Sequence, residues 1–251
     1  MTTVQPAPVA PRSLLLAWAV AIGGLALAKG ISLGVPLLAA NLAGVAALLF
    51  VLVPDRLLRT RDEYWDEYGL PWWGLADPRT WRAWGRGALW ALAACAVVFP
   101  LFYLAFAAFA RLLPELPPGW ARLVAPYGPP AAPRPRLPDG FALRAATQLL
   151  VVALPEELFY RGWMQTSWAA AGPARKVRLL GADLGRGFVA TQALFALGHL
   201  VRPQLWRLGT FFPGLLFGWL RARPGNVAAS VLTHALSHLF IAVLEASFYG
   251  R

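Results

Sequence analysis

The chain has 251 residues, 58% of them hydrophobic and only 14% charged, with a mean hydropathy of +0.53. Soluble domains hold about 45–50% apolar and about 25% charged residues, so an ordinary soluble fold is excluded, as is a disordered chain; the expected class is an all-α, polytopic helical membrane protein. The net charge of +11 falls mostly between apolar runs, where it suits loops at a charged membrane surface better than a nucleic-acid interface, and Cys95, the single cysteine, permits neither an intrachain disulfide nor a thiolate zinc cluster.

A spanning helix needs about 20 apolar residues. The polar, proline-rich start MTTVQPAPVAPR leads into an apolar run with no small-residue cleavage site behind it, so Leu14 onward is expected to be a retained first span. Leu14 to Ala28 and Ile31 to Val53, separated by Lys29 and Gly30, read as two spans. From Arg56 to Arg86 the chain is mixed in charge and carries Trp65, Trp72, Trp73, Trp81 and Trp84, a composition that fits the headgroup layer. Gly87 to Ala110 is free of charge over 24 residues and is the clearest span. Nine prolines between Pro114 and Pro138 predict a loop, which divides the chain into 1–140 and a core at 141–251. Four apolar runs follow: Phe141 to Trp163, Phe188 to about Trp206, Leu208 to Leu220, and Val227 to Tyr249. The third is short and contains Pro213, so it reads as broken or re-entrant. The total is about seven transmembrane helices, with no internal repeat.

Ionisable residues inside membrane helices cost roughly 2.5–3.5 kcal/mol each on insertion scales, so each needs a reason. In VVALPEELFYRGW, Arg161 follows Glu157 at i,i+4, the spacing at which a guanidinium reaches a carboxylate on the same face. Glu156 points about 100° away and lacks this partner. Neighbouring acids in unlike surroundings can take unlike roles, one structural and one as general base. The three histidines all lie in later apolar runs: His199, and His234 with His238 at i,i+4 on one face. Phe195 stands one turn before His199. Two readings are open, a metal site or a polar catalytic pocket. Antiparallel helices ending on one side near Trp163, Gly187 and Gly225 would put Glu156, His234 and His199 at roughly 10, 14 and 18 Å depth, close enough to meet. Cys95, mid-span, reads as packing, and Glu245 as interfacial.

In chain order, Glu156, Glu157 and Arg161 form an EExxxR motif, Phe195 and His199 an FxxxH motif, and His234 opens an HxxxN/D-like motif that ends on His238. In these motifs the chain resembles the CAAX protease and bacteriocin-processing (CPBP) family of intramembrane endopeptidases, which includes the Ras-converting CAAX endopeptidase. Gly214 to His238 is similar to the family's glycine-bearing helix, turn and final motif helix. The resemblance covers about Phe141 to Phe248, and its one departure is His238 where the family has Asn or Asp.

The resemblance implies hydrolysis of a peptide bond of a membrane-associated or lipid-anchored protein, near its C-terminus. By analogy Glu156 and His199 position and deprotonate water, His234 and His238 stabilise the oxyanion, and Glu157, Arg161 and Phe195 support them. It implies no cofactor. Zinc is the alternative, although Ala235, Leu236 and Ser237 stand where an HExxH motif would hold its glutamate. The partners implied are a membrane protein or peptide substrate and the lipid bilayer, with no nucleic acid. Lysine occurs only at Lys29 and Lys176 amid abundant arginine, alanine and glycine, a GC-rich bacterial bias that predicts the bacterial plasma membrane. The competing reading is a noncatalytic immunity or scaffold protein of the same fold.

Overall fold

In the computed structural model, which describes residues 8–117, 119–120, 133–171 and 176–250, most apolar runs fold as helices whose ends fall at proline and glycine. Helix α1 (Pro11–Ser32) opens on a proline, whose missing N–H is harmless in a first turn. It runs straight through Lys29 and Gly30, which corrects the break expected there. The Lys29 ammonium donates to the Val201 carbonyl at 2.7 Å, so the charge is accommodated at the helix end without interrupting it. The chain turns at 33–35, and a short α2 (Pro36–Ala40) leads through Asn41 into α3 (Leu42–Arg59), which packs along α1.

The tryptophan-rich segment is only partly a surface loop. Asp77 accepts the Arg79 backbone N–H at 2.8 Å as an N-cap, and Pro78 begins α4 (Pro78–Leu112), so Trp81 and Trp84 belong to the helix. At 35 residues α4 is about 52 Å long, more than the ~30 Å of a hydrocarbon core, and its tryptophan-bearing end extends past the apolar run. Residues 118 and 121–132 of the Pro114–Pro138 loop lie outside the described residues; near its far end, the Arg134 N–H donates to the Ser247 carbonyl at 3.0 Å.

Helix α5 (141–170) changes winding along its length, with π turns at Gln148–Ala153 and Leu158–Met164 on either side of the α turn Leu154–Glu157. Pro155 has no N–H to complete the α ladder, and π turns concentrate at functional helices. After α5 comes an unanticipated hairpin of β1 (Val177–Leu179) and β2 (Ala182–Leu184), paired antiparallel. Its two-residue turn places Leu180 at φ 48° and Gly181 at φ 80°, the signature of a type I′ turn.

The run expected to span from Phe188 to about Trp206 is not one continuous helix. Helix α6 (Arg186–Gly198) gives way to a 3₁₀ turn at His199–Val201, because Arg202, which precedes Pro203, is held extended at φ −99° and ψ 112°. A second 3₁₀ turn, Leu205–Thr210, leads into the 12-residue α7 (Phe211–Ala222). Pro213 sits in the first turn of α7, where it does not break the helix. α8 (Ala228–Tyr249) closes the fold and packs along α4, with Phe99 and Phe240 stacked at 4.3 Å.

Among the described residues three helices are long and apolar enough to cross a membrane, within Pro11–Ser32, Pro78–Glu115 and Ala228–Tyr249. The chain is an all-α integral membrane protein, and the expected count of seven is not reached on these criteria. Inside, α1 and α3 cover the aromatic face of α5, where Phe50 lies 5.1 Å from the Phe159 ring and 5.6 Å from Tyr160. In lipid the hydrophobic effect drives no helix together, so such close packing and buried hydrogen bonds must hold the bundle.

Candidate active site

Glu157 and Arg161 are fully buried and His234 is 1% exposed. Glu157 Oε1 accepts from Arg161 Nη1 at 2.8 Å and from His234 Nδ1 at 2.8 Å. The second contact joins residues 77 positions apart, so Glu157 holds His234 as well as Arg161. Arg161 Nη2 donates to Gln192 Oε1 at 2.9 Å and to the Gly214 carbonyl at 3.4 Å, and its guanidinium lies 4.1 Å over the Phe195 ring. Gln192 Nε2 donates to Gln165 Oε1 at 3.2 Å, and Gln165 Nε2 to the Gly218 carbonyl at 2.9 Å. One buried network thus ties α5, α6, α7 and α8 together.

This network needs α7 close by. A Cβ at Gly214 would meet Arg161 Nη2 at 3.2 Å, and one at Gly218 would meet Gln192 Nε2 at 2.6 Å. Small residues are the usual means of such approach in membranes. Gln165 and Gln192 escape a search for ionisable groups. Their signal is an uncharged amide inside an apolar run, one turn from Arg161 and from Phe195 respectively.

Hydrogen bonding fixes the imidazole tautomers. His199 Nδ1 lies 2.8 Å from the Phe195 carbonyl; a carbonyl only accepts, so Nδ1 carries the proton and the neutral ring presents a lone pair at Nε2. His234 is constrained alike by the Glu157 carboxylate, and its Nε2 faces His238 Nε2 at 3.2 Å. The His234 ring is further clamped by Phe217, stacked at 4.8 Å. Glu156 differs from its neighbour: its Oε2 is buried, makes no hydrogen bond among the described residues, and stands 4.0 Å from His234 Nε2. The two adjacent carboxylates therefore divide into one held by two donors and one with a free oxygen facing the imidazoles.

Residues 138–240 match a protein-family model described as Rce1-like, type II CAAX prenyl endopeptidase Rce1-like. Over this segment, about two fifths of the chain, the protein is similar to CAAX proteases. No curated protein and no solved structure matches the chain. The matched segment contains all seven residues singled out from the sequence, from Glu156 to His238.

Two cavities open on this segment's polar centre. One, of about 540 Å³, has His199, His234 and His238 in its wall among Phe99, Phe102 and Phe212. The other, of about 210 Å³, is bordered by Glu156, Tyr160 and His199. His199 lines both, so the structure brings Glu156 and the three histidines around one junction. Among the described residues no group of three or more His, Cys, Asp or Glu side chains is arranged to hold a metal ion. His234 has Nδ1 committed to Glu157 and Nε2 facing His238 Nε2 at 3.2 Å.

Proposed function

We propose that the protein is an intramembrane endopeptidase that hydrolyses a peptide bond near the C-terminus of a membrane-associated or lipid-anchored protein, with Glu156 as the general base and without a metal. The observation that carries this reading is the asymmetry of the two glutamates, with Glu156 Oε2 unbonded and 4.0 Å from His234 Nε2. The family description, a prenyl endopeptidase, supports a substrate with an apolar or lipidated segment, and the phenylalanine-lined cavity is suited to receive it. The membrane is taken to be a bacterial plasma membrane.

Water bound between Glu156 and the His199 Nε2 lone pair gives its proton to Glu156 as its oxygen attacks the amide carbon. Between neutral rings, His234 and His238 share one Nε2 proton, and the growing oxyanion takes that hydrogen bond. Glu156 then returns its proton to the departing nitrogen, the C–N bond breaks, and the new carboxylic acid gives its remaining proton to the amine, so that a carboxylate and an ammonium leave. Glu157 and Arg161 hold His234 in the required tautomer and do not touch the substrate.

The test is processing of a prenylated CAAX-type peptide by the purified protein in lipid nanodiscs. Loss of a general base lowers the rate by roughly 10²–10⁴, so Glu156→Gln should be inactive within that range while still folded. Undiminished turnover in both Glu156→Gln and His199→Ala would remove the mechanism.

A further inference from the structure

The smaller cavity has a second set of lining residues. Besides Glu156 and His199 it is lined by Lys29, Arg202 and Arg207. The same three cations border an adjoining, more open cavity of about 580 Å³, where Glu245 is the one acidic residue in the lining. They come from two unconnected places, the end of α1 and the broken segment between α6 and α7, and their positions are held. Lys29 uses one of its three donors on the Val201 carbonyl. Arg207 Nε donates to Gln204 Oε1 at 2.7 Å while its guanidinium lies 4.6 Å over the Trp206 ring. Burial, and then the charge of Arg202, pull the Arg207 guanidinium below its ordinary range, a penalty that an anion set between the two would relieve. The cavity thus combines three cations with the proposed water-activating pair in one lining.

We propose that Lys29, Arg202 and Arg207 receive the free α-carboxylate of the substrate, so that cleavage falls a fixed, short distance before a chain end. The proposal rests on the protease reading above and gives the substrate a direction. The lipidated or apolar side lies in the phenylalanine-lined cavity, the scissile bond crosses at His199, and the departing segment runs toward the cations. A departing C-terminal segment always ends in a carboxylate, and arginine matches that group through paired N–H donors. Lys29 lies outside the matched segment, so part of this selectivity belongs to the N-terminal helices of this chain.

The experiment uses a quenched fluorogenic peptide, an S-prenylated cysteine followed by three aliphatic residues, made both as the free acid and as the C-terminal amide, with the full-length protein in nanodiscs of neutral lipid. Hydrogen bonds to a charged group are lost in the amide, so the acid should be favoured about tenfold or more in kcat/KM, expressed in KM. In Arg202→Gln/Arg207→Gln that preference should fall to about one, chiefly through a raised KM for the acid. Equal kcat/KM for the two peptides in the parent protein would overturn the carboxylate site and leave the protease reading intact. A preference governed by anionic lipid in the nanodisc, and unaffected by the two arginine substitutions, would assign the cations to a headgroup and overturn it as well. Binding to Glu156→Gln separates the remaining case: tighter binding of the acid than the amide, with neither cleaved by the parent protein, would sustain the carboxylate site and defeat the protease reading.

Discussion

Removing Glu157 tests the buried network at its carboxylate. In Glu157→Ala, Arg161 Nη1 and His234 Nδ1 each lose a bond of 2.8 Å, and neither group can reach water, since both residues are at most 1% exposed. Arg161 keeps Gln192 at 2.9 Å and a longer contact to Gly214 at 3.4 Å, so its loss is that of one partner from a buried pair, about 3–5 kcal/mol. The orphaned imidazole N–H adds about 1–3 kcal/mol. At about 2–4 °C per kcal/mol for a chain of this size, even the lower sum of ~4 kcal/mol lowers the apparent melting temperature by at least about 8 °C. The twelve tryptophans report unfolding directly in detergent or nanodiscs. Glu157→Gln, which retains an oxygen at the acceptor position, should lose roughly half as much. Glu156→Gln, whose Oε2 has no hydrogen bond to lose, should melt within about 2 °C of the parent protein while being catalytically silent. The reasoning is refuted if Glu157→Ala melts with the parent, or if Glu156→Gln falls as far as Glu157→Ala.

Three further outcomes follow from the same geometry. His238→Asn keeps a neutral donor where the imidazole Nε2 stands, so peptide turnover should remain within about tenfold of the parent and be indifferent to chelators; collapse of the rate together with chelator sensitivity in the parent would speak for a metal. Gly218→Leu drives a side chain into Gln192, Phe188 and Gln165, which already lie 2.6–2.8 Å from a Cβ at that position, and should cost about 1–3 kcal/mol by overpacking, read as a lower melting temperature than Gly209→Ala, where a Cβ meets nothing within 4 Å. Outside the membrane helices, burial and then the Glu63 carboxylate, bonded at 2.7 Å, push the Tyr68 phenol above its ordinary range. The folded state therefore binds that proton more tightly than the unfolded chain. Its contribution is complete below the unfolded pKa of about 10 and declines as pH rises beyond it. A melting temperature that falls between pH 9.5 and 11 in the parent but less in Tyr68→Phe would check the sign.

What could be read from the sequence, and what could not, divides along the range of the interactions involved. The cost of an ionisable group in an apolar helix marks Glu156, Glu157, Arg161 and the histidines, and i,i+4 spacing alone predicts that Arg161 can reach Glu157. Local rules fail where a distant group intervenes. Lys29 looks like a helix break until the Val201 carbonyl, 172 positions away, is there to receive its proton. Pro203 and Pro213 are the same residue with opposite effects, since one follows a residue it forces out of helical geometry and the other sits in a first turn, where the missing N–H has no consequence. Glu157 is the sharpest case, because its role depends on His234, which only the packing of α8 against α5 brings within 2.8 Å. The same dependence extends beyond the segment that matches the family model. Lys29 and Phe50, from α1 and α3, line the cavity that holds Glu156 and His199, although nothing in residues 1–137 matches the family model. On the proposed mechanism the motif-bearing half supplies the reacting groups, whereas the motif-free half supplies part of the wall around them. Selectivity is therefore expected to vary with α1 and α3 while the Glu157–Arg161–His234 network remains unchanged, because that network is closed within the motif-bearing half and borrows no donor from the other.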